Sequence, residues 1–250
     1  MKYVMENIQP FEAHVEEYEE WFDKYNYVFL SEVSAIQDLM PAGDDLLGLE
    51  IGTGTGRFSE ALGFKEGVDP SSAMREKAAK RGINVRNAFA EALPYHDLSY
   101  HVVLMNFSIC YFESLHRAFK EAYRVLKDKG VFIVGFLDKN SLIGKQYESE
   151  KSKSLFNKHA NFYSPDRVEE ELKKAGFKEL SFSQTLFHSL DEIKEVEAAE
   201  PGREHEQFPE DGGGRFSFEE SAPIYHYRTV LAEVGVPDLG GLALRLGVGH

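Results

Sequence analysis

An α/β fold built on a doubly wound, mostly parallel sheet is predicted by three observations. Apolar strand-like runs alternate with amphipathic stretches between residues 46 and 137, in the order strand, helix, strand, helix. The first run delivers Glu50 into three glycines at alternate positions, Gly52, Gly54 and Gly56, and a helical pattern begins at once. The second run ends on Asp69, at the edge where open α/β sheets bind their ligands.

The elements follow in order. Residues 11–40 read as helical, because Tyr18, Trp21, Phe22 and Tyr25 recur at the spacing of one helix face. Pro41, Ala42 and Gly43 stop that run. A strand over 46–51, the glycine loop and a short helix from about Arg57 to Leu62 come next, then a strand over 64–68. Ser71 or Ser72 caps a helix to Lys80, and Gly82 ends it. Residues 83–86 make a third strand and 102–105 a fourth. A helix is expected from Glu113 to Lys127, with Leu115, Ala118, Phe119, Ala122 and Leu126 on one stripe. Gly130 then opens a fifth strand over 131–137. Residues 139–163 break the rhythm and read as an insertion after the fifth strand, over the carboxyl edge of the sheet.

Ser164 and Pro165 begin another helix, which Gly176 closes. An extended stretch over 177–187 and an acidic, glycine-rich loop over 195–214 come next. Phe216–Phe218 is expected to be the last strand, and no element is assigned from Pro223 onward, where the glycine-rich end is expected to be poorly ordered. The expected domains are an N-terminal helical lid over 1–45, a core over 46–220 that carries the insertion, and a tail over 221–250.

Composition narrows the function classes. The formal net charge is −14 over 250 residues. The basic runs at 151–158 and at Lys173 and Lys174 are interleaved with glutamates, as solvated helix faces are. That balance argues against a nucleic-acid partner, which calls for a basic face. No apolar run approaches the roughly 20 residues that cross a bilayer, and the amino terminus lacks the apolar core of a secretory signal. Cys110 is the single cysteine, which leaves no internal disulfide and no thiolate metal site. A reducing, cytoplasmic setting without a metal is expected. Cys110 itself reads as a small buried hydrophobe.

The glycine loop carries the chemistry. Glycines let a backbone turn sharply and approach a ligand closely, although a lone cluster also suits an ordinary strand-to-helix turn. A dinucleotide fingerprint places its third glycine three residues after the second, where Arg57 stands here. A carboxylate at Asp69 can accept both hydrogen bonds of a ribose diol, or cap the helix that begins after Pro70. Asn106 ends the fourth strand, as a ligand contact or as a turn residue. The Tyr18, Trp21, Tyr25 stripe packs a core, lines a lid, or does both. His101 is expected to be structural. His14, His116 and His159 are the candidate bases, and none is assigned as catalytic.

Glu50-Ile51-Gly52-Thr53-Gly54-Thr55-Gly56-Arg57-Phe58, Gly67-Val68-Asp69-Pro70-Ser71, Ala90-Glu91-Ala92-Leu93-Pro94 and the run from Ala118 to Leu126 occur in this order. In that order they resemble the ubiquinone/menaquinone-biosynthesis-type (type 11) branch of the class I S-adenosylmethionine-dependent methyltransferases. The likeness extends over about residues 11–190. It implies a Rossmann-like core that binds S-adenosylmethionine through Glu50, Gly52, Thr53, Gly54, Asp69, Pro70, Phe89, Ala90, Glu91 and Asn106. It also implies that Tyr18, Trp21 and Tyr25 face the substrate or form its lid. Many members carry an acidic or polar residue where Phe89 stands, so the adenine would meet the Ala90 amide, with Phe89 stacking on the ring. The acceptor is expected to be a small molecule. Two rivals stay open: a cofactor-binding sensor or partner subunit without turnover, and a nicotinamide-dependent oxidoreductase.

Overall fold

The computed structural model describes residues 2–43, 45–188, 190–202 and 227–233. Three helices lead the chain: α1 (Lys2–Ala13), α2 (Val15–Lys24) and α3 (Asn26–Gln37). Strands β1 (Gly48–Ile51), β2 (Glu66–Val68), β3 (Asn84–Arg86), β4 (Tyr100–Asn106) and β5 (Leu126–Leu137) follow. They alternate with α4 (Arg57–Leu62), α5 (Ser72–Lys80) and α6 (Leu115–Val125). After β5 come α7 (Leu142–Glu150), α8 (Pro165–Ala175), β6 (Glu179–Thr185), β7 (Glu200–Pro201) and β8 (Tyr227–Glu233). The sheet order is β3-β2-β1-β4-β5-β8-β6-β7. The first five strands run parallel, and β8 pairs antiparallel with both β5 and β6. The order reverses between β1 and β4, which is where such sheets open a crevice at their carboxyl ends.

The two sheet faces are packed by alternation along the central strands. Val102 and Leu104 of β4, with Val131 and Ile133 of β5, join Trp21, Phe22, Val28, Ile36 and Phe58 on one face. Val103, Met105, Phe132 and Val134 join Phe119, Leu172 and Phe177 on the other. Each buried aliphatic or phenyl side chain stabilises the fold by about 1.5–3 kcal/mol. Phe132 lies between Phe119 and Phe177, with ring centroids 5.3 and 5.2 Å away.

Several boundaries differ from expectation. The amino-terminal helical region begins at Lys2, not at residue 11, because Pro10 sits within the last turn of α1 instead of ending it. Helix α6 ends at Val125, and β5 starts at Leu126, which pairs with Tyr100 ahead of a register shift; the strand runs through Gly130. The segment from Tyr227 is a strand in the heart of the sheet, where no element was expected. The expected strand at 216–218 and the glycine-rich end beyond 233 lie outside the described residues. Ser71 and Ser164 cap their helices as expected, each accepting a backbone N–H, while α6 starts at Leu115 instead of Glu113, with Ser114 as its cap. Gly176 closes α8 at φ +117°.

Candidate active site

A cavity of about 410 Å³ opens at the carboxyl ends of β1, β2 and β4. Its floor is the turn after β1. Gly52 (φ +76°) and Gly54 (φ +55°) adopt the left-handed conformation that side chains disfavour. A Cβ on Gly52 would overlap the Ser108 side chain, and one on Gly54 would come within 3.1 Å of the Tyr18 hydroxyl. Ser108 Oγ donates to the Ile51 carbonyl at 2.8 Å, which holds the loop after β4 against the glycine turn.

Asp69 closes one end. Its Oδ2 accepts the Gly54 N–H at 2.8 Å and its Oδ1 accepts the Ser71 N–H at 2.8 Å. Burial pushes its carboxyl up to about 6, against the opposing pull of those two hydrogen bonds. Each oxygen keeps a lone pair for a further donor. Pro70, Ala88, Phe89, Ala90, Glu91 and Ala92 continue the wall, with Phe89 43% exposed at the rim. Glu91 also orders its surroundings, because its Oε1 accepts the N–H groups of Glu113 and Ser114 at the start of α6. At the other end Asn106 is buried, with neither amide atom hydrogen-bonded.

The roof comes from α1 and α2, with the insertion packed behind it. Asn7, Ile8 and Phe11 reach the cavity from α1, and Tyr18 from α2. Phe11 packs edge-on against Tyr111 at 5.0 Å and tilts against Phe156 at 5.2 Å. Asn157 Oδ1 accepts the Tyr111 hydroxyl at 2.6 Å. The insertion thus braces the aromatic wall. Glu12 fastens α1 to the start of α5: its carboxylate accepts Ser71 Oγ at 2.6 Å and the Ser72 hydroxyl. Helix α2 is held by ions, since Glu19 pairs with Arg57 and Arg81.

Four of the expected contacts do not reach the cavity wall. Glu50 points behind the turn, where its Oε2 accepts the Ser59 N–H at 3.0 Å and the Ser59 hydroxyl. Desolvation pushes the Glu50 carboxyl up to about 8. Thr53 turns inward, donating to the carbonyls of Glu50 (2.9 Å) and Val68 (3.2 Å). Trp21 is a core residue, 2% exposed. Tyr25 packs beside it at 5.4 Å. Both belong to the stripe that binds α2 to the sheet, and only Tyr18 of that stripe faces the cavity.

None of the histidines among the described residues lines it. His101 is structural, accepting the Leu47 N–H at 2.9 Å and lying 3.1 Å from Lys127 Nζ. His14 and His116 face Glu17 and Glu171. Cys110 is half-buried and not fully enclosed, and desolvation pushes its thiol up to about 12. Sequence reading missed Asn7, Ile8, Phe11, Ser108, Tyr111 and Phe112 on the wall. Asn7 and Ile8 lie ahead of residue 11, where the expected helical span begins, and Phe11 is its first residue.

Comparison with known proteins agrees with this geometry. The methyltransferase-domain family profile, type 11, matches residues 49–134. A crystal structure from Thermotoga maritima superposes with a TM-score of 0.79 at 38% identity, covering 91% of this chain and all of that one. It is described as a SAM-dependent methyltransferase, possible histamine N-methyltransferase. An uncharacterised protein of Methanocaldococcus jannaschii is 42% identical over 190 residues, which is 76% of this chain and 91% of that one. The demethylmenaquinone methyltransferase of Chlorobaculum parvum is 32% identical over 167 residues, or 56% of this chain and 69% of that enzyme. Among the described residues no helix is long and apolar enough to cross a membrane. The chain belongs to the class I S-adenosylmethionine-dependent methyltransferases, in their type 11 branch, and is an enzyme that uses S-adenosylmethionine as its cofactor.

Proposed function

We propose that this enzyme methylates a small amine held under α1, by in-line displacement at the sulfonium methyl. The observation that carries the reading is the partly roofed cavity running from Asp69 to Asn106 beneath Asn7, Phe11 and Tyr18. Its walls are rich in aromatic side chains and enclose too little space for a folded protein or a nucleic-acid strand. When bound, the cofactor supplies an electrophilic methyl group on positively charged sulfur.

The residues fit that cofactor. Asp69 would accept the ribose hydroxyls through its remaining lone pairs, and Ala90 and Phe89 would flank the adenine. Asn106, with both amide atoms unpartnered, would meet the amino-acid end. The rings of Tyr18 and Phe11 would face the positive sulfur, a contact that contributes about 0.5–2 kcal/mol. Alignment of the two reactants supplies the larger share of rate, about 7–11 kcal/mol for a well-oriented pair.

An amine is favoured over a phenol because the acidic groups on the wall are already engaged: Glu91 accepts the Glu113 and Ser114 N–H groups, and Glu113 pairs with Arg117. Desolvation holds Tyr18 and Tyr111 protonated, and both Asp69 oxygens already accept backbone N–H groups. A neutral amine brings its own lone pair, having lost its proton to water beforehand. Asn7, whose Nδ2 donates to the Tyr111 carbonyl at 3.2 Å, keeps a buried, unpartnered Oδ1 to accept the N–H of such a substrate. The description of the Thermotoga relative points the same way. The Chlorobaculum relative makes hydroquinones the competing class.

The test is incubation with methyl-labelled S-adenosylmethionine and a panel of arylalkyl amines, hydroquinones and thiols. Label transfer to amines supports the reading, and transfer to hydroquinones alone replaces it. Tight cofactor binding with no transfer to any class would support a sensor or partner subunit.

A further inference from the structure

Glu32 stands apart from every group assigned above. It lies on the inward side of α3, wholly shut off from solvent, and neither carboxylate oxygen meets a hydrogen-bond donor. A buried carboxyl without a partner is costly, so its presence calls for an explanation. The explanation lies in its surroundings. Glu32 lines a void of about 20 Å³ together with Glu50, Gly52, Thr53, Arg57 and Asn106. Gly52, Asn106, Tyr18 and Phe107 line both this void and the large cavity, so the void adjoins the cavity floor. Its size suits one small polar group, such as a water or an ammonium. Asn106, equally unpartnered, stands on the boundary between the two.

We propose that Glu32 is the counter-charge for the cationic amino end of the bound cofactor, and that binding there drives a proton off Glu32 into solvent. The inference rests on the reading that S-adenosylmethionine lies between Asp69 and Asn106. With the ribose at Asp69, the amino-acid end falls at Gly52 and Asn106, above the void. Glu32 is a positioning and specificity group in this scheme and takes no part in methyl transfer.

The groups around Glu32 leave it without a fixed positive partner among the described side chains. Arg57 of α4 is committed to Glu19 and Asp23. Tyr18 of α2 stays protonated, and Glu50 of β1 is itself an acid occupied by Ser59. On the far side of α3, Glu197 gives its backbone N–H to Ser31 and turns its carboxylate to Phe187 and His188. The one titratable residue of β6, Glu179, is exposed. Strand β8 carries Tyr227 and Arg228 in register with Thr185 and Gln184 at one end, and Glu233 opposite Glu179 at the other. Burial therefore keeps the Glu32 carboxyl protonated, well above the usual carboxylate range. An ammonium in the void reverses that balance, because an opposite charge nearby favours the ionised form.

The experiment is titration calorimetry of the full chain near neutral pH, in buffers of different ionisation heat. S-adenosylhomocysteine is the probe, and 5′-methylthioadenosine, which has no amino-acid end, is the control. The wild-type chain should release about one proton more than Glu32→Gln on binding S-adenosylhomocysteine. The variant should bind that probe about tenfold more weakly and methylthioadenosine as the wild type does. Equal proton release in the two chains overturns the inference, as does a difference that persists with methylthioadenosine. Should Glu32→Gln fail to fold, the wild type alone decides. Its preference for S-adenosylhomocysteine over methylthioadenosine should climb as pH rises from acid toward neutrality, and a flat preference overturns the inference. If the wild type binds neither compound, the cofactor reading falls and takes this inference with it.

Discussion

Asp69 and Gly54 are joined across the cleft between β1 and β2: the carboxylate Oδ2 accepts the glycine N–H at 2.8 Å. One side chain thus fixes the shape of the glycine turn and, with its remaining lone pairs, faces the cavity. Replacing it should damage both roles. Asp69→Ala is expected to weaken S-adenosylhomocysteine binding by about 10- to 100-fold, the worth of one or two charge-assisted hydrogen bonds. Asp69→Asn, which keeps one acceptor oxygen, should lose less. Calorimetric affinities of the two variants check the order.

Gly52→Ala tests the turn itself. The left-handed backbone and the overlap with Ser108 should together cost about 1–3 kcal/mol of stability. Affinity should fall as well, because the turn and the loop after β4 are pushed apart. Urea unfolding and ligand titration on the same sample measure both effects.

Trp21→Phe separates lid from core. The ring is enclosed with Phe22 and Tyr25 and does not reach the cavity. Stability should drop by about 1–3 kcal/mol, while the affinity for S-adenosylhomocysteine stays within about twofold. Tyr18→Ala should do the reverse, weakening binding more than folding.

Proton linkage gives the ligand-free protein an unusual pH profile. Glu50 and Asp69 hold their protons more tightly when folded, up to about 8 and about 6. At these two positions the folded chain holds more proton than the unfolded chain above about pH 4. Their contribution to stability is present in acid and is lost as pH rises, through about 6 for Asp69 and through about 8 for Glu50, by up to about 1.4 kcal/mol per pH unit for each group. Glu50→Gln should flatten the upper part of that decline. Denaturant midpoints at several pH values provide the measurement.

Glu12 behaves in the opposite sense. Hydrogen bonds from Ser71 and Ser72 hold its carboxyl below the usual range, so the tether of α1 is present above about pH 4.5 and is lost as pH falls below that. Amide protection factors in α1, corrected for the intrinsic pH dependence of exchange, should fall at low pH. They should fall at neutral pH in Glu12→Ala.

Much of this architecture was legible in the residues. The glycine turn, Asp69 and the capping serines are local signals, each set by backbone geometry that few other residues satisfy. What could not be read depends on tertiary placement. Glu50 and Thr53 sit within the motif, yet the turn sends their side chains behind the loop, and no spacing rule reveals which way they point. Most of α1 precedes the aromatic spacing of Tyr18, Trp21, Phe22 and Tyr25 that marks the helical region. The strand at Tyr227–Glu233 follows a long polar stretch, and its identity comes from the two strands it joins. Glu32 carries no signal, since an acid in an amphipathic helix ordinarily faces water.

Because β8 sits between β5 and β6, the order of synthesis matters. Strand β5 emerges from the ribosome about ninety residues before the partner that will cover its free edge. During that interval a long, apolar ribbon of unpaired N–H and C=O groups is open to strangers. Cells making this protein quickly should collect it in inclusion bodies more readily than its small size suggests, and truncation before residue 227 should worsen that outcome.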